Sequence, residues 1–116
     1  MQDEDGNVLG YISSQPHNDE VKELRQWDPD FPEQLNALYI ESIAIKPEHR
    51  SIRTFLKITK EFLRQAKQKG YKKLTMHARI QGDLSHILQK RYKAKVLYTL
   101  EDWMGGEAFD YLEIDI

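Results

Sequence analysis

The chain has 116 residues, 40% of them hydrophobic and 31% charged, the profile of one folded domain with a modest core. It contains no cysteine, which excludes a disulfide framework, a thiolate nucleophile and a cysteine-ligated zinc. No apolar run approaches the roughly 18 residues that span a bilayer, and no signal-peptide pattern opens the sequence, so a cytoplasmic setting is expected. Asp5-Gly6 is a turn signal leading into a strand from Val8 to Ser13. Residues 15–36 form a long polar stretch in which Asn18 or Asp19 can cap a short helix running through Trp27. A connection this long is usually either functional or disordered.

Ala37–Ile45 reads as the central, buried strand, interrupted by Glu41 and Ser42 and ended by Pro47. From Ser51 to Gly70, the spacing of Ile52, Phe55, Leu56, Phe62, Leu63 and Ala66 predicts a helix with one apolar face, and Gly70 supplies its stop. Tyr71–Arg79 is the next strand. Gly82–Tyr92 gives a shorter helix with Leu84, Ile87 and Leu88 inward, and Tyr92 a further candidate for that face. Ala94–Asp102 and Glu107–Asp115 read as two strands joined around Gly105-Gly106. The order β-β-α-β-α-β-β predicts a single domain of the mixed α/β class.

Charge is distributed unevenly around a net −2. Residues 1–49 hold three basic and eleven acidic side chains, residues 50–95 fourteen basic and two acidic, and residues 96–116 six acidic and no basic. The middle block suits either a solvated lysine-rich helix face or a surface for an anionic ligand.

The strand "LYIESIAI", the loop "KPEHRS" and the long helix after them resemble the acyl-CoA-binding core segment of the GNAT family of N-acetyltransferases. The resemblance covers Asp5 to Ile116, the second and larger part of such a domain. The family's opening strand and helices have no counterpart, so the expectation is a short or degenerate member, or one completed by another chain. It implies an acyl-CoA-dependent N-acyltransferase that moves acetyl from acetyl-CoA to a primary amine. The alternative is a non-catalytic GNAT-like module for binding or regulation.

Carried over residue by residue, the resemblance implies that the backbone of Ile43, Ala44 and Ile45 pairs with the amide-rich pantetheine arm. It further implies that the pyrophosphate rests on the next helix's N-terminus, where N–H groups and the helix dipole favour anions. The family's loop reads Arg/Gln-x-x-Gly-x-Gly/Ala, and here Arg50, Ser51, Ile52, Arg53, Thr54 and Phe55 take those places. Arg50 matches. Arg53 replaces a glycine, and either supplies charge or blocks approach to the backbone. Phe55 belongs to the apolar stripe, which points to core packing. In the short helix, Gln81 stands for the family's asparagine and Leu88 for its proton-donating tyrosine. Leucine has no proton to give, and Tyr92, one turn further on, is the nearest substitute.

Glu41 is the one carboxylate within the apolar strand. Desolvation would raise its pKa and suit it to act as a base, unless it faces solvent or pairs with a lysine. Tyr39 shares its face. His17, His49, His77 and His86 lack the spacing of a helical metal site, and no metal is expected. Trp27, Phe31 and Trp103 sit among acidic residues, forming either an aromatic pocket for a cationic amine or a cover for the sheet edges. A nucleic-acid role for residues 50–95 ranks last, because no aromatic-studded basic strand accompanies them. The Val8–Ser13 strand is expected at a sheet edge, open to self-association.

Overall fold

Among the described residues, five strands form one mixed sheet in the order β1-β2-β3-β5-β4. The strands are β1 Gly10–Pro16, β2 Ala37–Ile45, β3 Lys73–Arg79, β4 Lys95–Trp103 and β5 Glu107–Asp115. A 3-10 turn, His17–Asp19, leads into α1 (Val21–Leu24), while α2 (Ile52–Gln68) and α3 (Leu84–Tyr92) are the longer helices. The computed structural model describes residues 10–45, 52–80, 84–103 and 106–116. The Asp5-Gly6 turn, Val8, Pro47 and Gly105 lie outside the described residues.

The sheet has a core on each face, because side chains alternate along a strand. Leu38 and Ile40 of β2, Leu74 and Met76 of β3, and Leu112 and Ile114 of β5 point to one face. There they meet Ala66 of α2 and Leu88 of α3, with Phe55, Phe62 and Leu63 of α2 packed alongside. Phe55 is thus part of the core, as its place in the apolar stripe implies. A left-handed Gly70 (φ 91) ends α2. The Tyr71 N–H reaches the Ala66 carbonyl at 3.2 Å and the Gly70 N–H that of Lys67 at 3.0 Å, the paired bonds of a glycine-capped helix.

The opposite face carries Tyr39 of β2 and Tyr111 of β5, and it is covered by the polar segment between β1 and β2. Val21, Leu24 and Phe31 of that segment are buried with the two tyrosines. The segment is therefore a packed layer, and Phe31 is 0% exposed.

β3 holds the middle of the sheet and β2 lies beside it, one place from where the sequence put the central strand. β1 is an edge strand, as its sequence suggests. β2 pairs antiparallel with all of β1, but its parallel pairing with β3 covers only Ala37–Tyr39 against Lys73–Thr75. Beyond Tyr39 the two strands part, and β3 continues paired to β5 alone through Arg79. A shift of register between Ser13 and Ser14 leaves Glu41 with no opposite residue on β1. Such a bulge re-aims the side chain it carries.

Candidate active site

The parting of β2 from β3 opens a pocket of about 360 Å³. Ile40, Glu41, Ser42 and Ile43 line one wall, Met76, His77 and Arg79 the other, and Phe109 of β5 closes one side. A second pocket of about 260 Å³ shares Glu41, His77 and Phe109 and adds Tyr39, Glu20, Glu23, Leu24 and Trp27. The two hollows are neighbours, one between strands and one beneath α1.

Behind them runs a chain of hydrogen bonds. The Tyr39 hydroxyl lies 2.7 Å from His77 Nδ1, and His77 Nε2 lies 3.0 Å from Asp28 Oδ2. The Tyr98 hydroxyl donates to the same carboxylate oxygen. Because the carboxylate only accepts, His77 presents Nε2–H to it and keeps the Nδ1 lone pair for the Tyr39 O–H. The His77 and Asp28 side chains are 2% and 1% exposed. Asp28 Oδ1 is buried and has no hydrogen-bond partner among the described residues.

His17 completes the buried layer. Its Nε2–H donates to the Pro32 carbonyl at 2.7 Å and its Nδ1 accepts from Thr75 at 2.6 Å. Phe31 stacks on His17 at 4.5 Å and lies against His77 at 5.4 Å between ring centroids. Burial holds both imidazoles below their ordinary pKa of 6.5, opposed at His77 by the Asp28 carboxylate and at His17 by the Pro32 carbonyl. Burial, reinforced by the Glu20 charge, pushes the Tyr39 hydroxyl well above its ordinary value. Burial and the bond to Asp28 do the same to Tyr98.

Neutral histidines make the fold acid-sensitive. The unfolded chain binds protons near pH 6.5, where the folded chain does not, so the histidine contribution is complete above that pH and is lost as pH falls below it. The thermal midpoint is expected to drop as pH is lowered from about 7.5 to about 5.5. A flat profile would contradict neutral burial of His17 and His77.

Tyr39 and Glu41 come together as their spacing implies, and Glu41 is exposed at the bulge, the solvent-facing one of its two expected placements. Burial and then a hydrogen bond with Glu41 raise the pKa of the neighbouring Glu20. Tyr92 does not join them. It packs at the core on the helical face of the sheet, opposite the face that holds Tyr39. Burial raises its pKa, while a hydrogen bond with Thr59 of α2 opposes the rise. Leu88, at the family tyrosine's position, is 2% exposed in the same core.

Ile43 is half-buried on the pocket wall, and the strand containing Ala44 and Ile45 continues beside it. Ile52 opens α2, Arg53 is exposed on the first turn, and Thr54 and Phe55 are half-buried. Arg50, Ser51, His49 and Gln81 lie outside the described residues, as do the side chains of Ala44, Ile45, Ile52, Leu84 and Trp103. Trp27 is 51% exposed at the second pocket, whereas Phe31 belongs to the core.

No protein-family model matches the sequence, and no curated protein does either. Solved structures match in shape. The ribosomal-protein-S18-alanine N-acetyltransferase of Escherichia coli superposes with a TM-score of 0.72 at 11% identity, over 98% of this chain and 65% of its own. An N-acetyltransferase from Staphylococcus aureus Mu50 gives 0.70 at 21% identity, over 97% and 64%. A protein from Desulfovibrio desulfuricans assigned to the GNAT family of acetyltransferases gives 0.68 at 13% identity, over 99% and 64%. The chain has the GNAT acetyltransferase fold. It spans about two thirds of the length of these neighbours. Among the described residues of this GNAT fold, no helix is long and apolar enough to cross a membrane.

Proposed function

We propose that the protein transfers an acyl group from acyl-CoA, acetyl-CoA by default, to a primary amine. The parting of β2 from β3 carries the proposal. Among the described residues, it leaves the β3-facing backbone of β2 beyond Tyr39 without a strand partner in that direction, and it puts a pocket in the gap. An extended, amide-rich pantetheine arm can pair there as an added strand. Among the described residues, the first turn of the 17-residue α2 carries no acidic side chain, and the positive end of a helix favours an anion such as a pyrophosphate. The pocket beneath α1, with Glu20, Glu23, Glu41 and Trp27, suits an ammonium group.

Titration calorimetry tests the binding half of the proposal. Acetyl-CoA and desulfo-CoA are expected to bind and ATP to bind far more weakly, with CoA affinity falling as salt rises. Equal binding of ATP, or none by either CoA, would refute it. The burial of Leu88 where the family places its acidic tyrosine favours the second reading, a GNAT-like module that binds CoA without turnover. CoA binding with no consumption of acetyl-CoA would select that reading.

A further inference from the structure

Tyr39, His77 and Asp28 link the pocket beneath α1 to the protein interior in one hydrogen-bonded line. We propose that this line is a proton relay, with the Tyr39 hydroxyl as the catalytic group and His77 and Asp28 as positioning residues behind it. The proposal rests on the acyl-transfer reading above. Tyr39 lines the pocket together with Glu20 and Glu41, and His77 borders both hollows. Each bond has a defined donor, so a proton reaching the Tyr39 oxygen can displace the tyrosine's own proton onto His77 Nδ1. Asp28 then faces an imidazolium at 3.0 Å, with Tyr98 fixing the carboxylate from the other side. A charge pair formed in so dry a place is stabilised strongly while it lasts.

The step balances. The neutral amine nitrogen attacks the thioester carbonyl, an N–C bond forms, and the carbonyl electron pair moves to oxygen. The surplus N–H proton passes to Tyr39 as the tyrosine proton passes to His77. When the carbonyl re-forms, the C–S bond breaks, sulfur leaves with the electron pair, and the proton returns along the same line to the thiolate. Amide and thiol are the products, and the relay is restored. Water in place of the amine gives acetic acid and thiol by the same route, and the acid then loses its proton to solvent.

Among the described residues, the charged and titratable groups around His77 include Asp28 from the segment after α1, His17 from the 3-10 turn, Tyr39 from β2 and Tyr111 from β5, with Glu20, Glu23, Glu41 and Arg79 across the two pockets it borders. Tyr98 of β4 acts through Asp28. The relay needs neutral His77, which burial favours. Acetyl-CoA consumption is therefore expected to rise with pH through an inflection below 6.5 and then level off. Water as acceptor keeps amine ionisation out of the profile, and spermidine supplies the amine in a parallel series.

Tyr39→Phe, which keeps the ring and removes one oxygen, and His77→Gln are each expected to lower the plateau ~10²-fold or more. Calorimetric binding of acetyl-CoA to Tyr39→Phe should match wild type. Asp28→Asn should move the inflection to lower pH, because it removes the anion that favours the imidazolium; an inflection that belongs to a group other than His77 would stay in place. A wild-type rate in Tyr39→Phe, or an unmoved inflection in Asp28→Asn, overturns the relay. Acetyl-CoA that binds but is consumed with neither water nor spermidine also overturns it, while leaving the binding site standing. Acetyl-CoA that fails to bind overturns the acyl-transfer reading, and the relay with it.

Discussion

Replacing Phe31 by alanine is expected to destabilise the protein by about 3–5 kcal/mol, the range for emptying a phenylalanine site in a close-packed core. Phe31 is 0% exposed. Its ring contacts His17 and His77 and meets Tyr39 edge-on at 5.7 Å. The rigid sheet beneath cannot collapse into the space, and the segment above is anchored by few other large apolar groups. Since domains of this size are stable by only about 5–15 kcal/mol, the variant would lie near the edge of folding. Urea denaturation of wild type, Phe31→Leu and Phe31→Ala gives the comparison, with Phe31→Leu intermediate. A loss below about 1 kcal/mol in Phe31→Ala, the size of an ordinary surface change, would mean that the segment does not pack on the sheet in solution.

Asp28→Ala is expected to lose a similar amount, about 2–6 kcal/mol, from about 1–3 for each of two buried donors left without an acceptor. The buried carboxylate accepts from His77 and Tyr98, and its removal leaves two donors in a dry layer with nothing to receive them. Asp28→Asn keeps an acceptor oxygen and nearly the same volume, so it should lose clearly less. The two variants are compared by the same denaturation. Equal losses would mean that the site needs the carboxylate's charge, and that neither its volume nor an acceptor oxygen is enough.

The elements could be read where local pattern decides them. β2 and β5 have the bounds their apolar runs indicate, Ala37–Ile45 and Glu107–Asp115, and α2 follows its apolar stripe to the Gly70 stop. The polar segment before β2 could not be read, because its buried residues obey no period. Phe31, Asp28 and His17 are inside only because the sheet's second face needs a cover, which is a fact of tertiary structure. The site divides the same way. Tyr39 and Glu41 are two apart on one strand, so their meeting was local. His77 joins Asp28 across 49 positions and Tyr39 across 38, and no spacing announces such contacts. The sequence of β3 hides the contact as well: Thr75 and His77 alternate with Leu74, Met76 and Ala78 but share their side with Lys73 and Arg79, so the pattern reads as a solvent face. The bulge that exposes Glu41 depends on how β1 pairs with β2, which the sequence of β2 alone does not contain.

Backbone amide NMR of the protein titrated with desulfo-CoA tests the central claim, that the gap between β2 and β3 receives the CoA arm. The largest shifts are expected at Ile40–Ile43 on β2 and Met76–Arg79 on β3, with a second group at the first turn of α2. Shifts confined to the exposed basic side of α2, around Lys57, Lys60, Arg64 and Lys67, with the two strands unmoved, would show charge-driven surface binding and contradict the account.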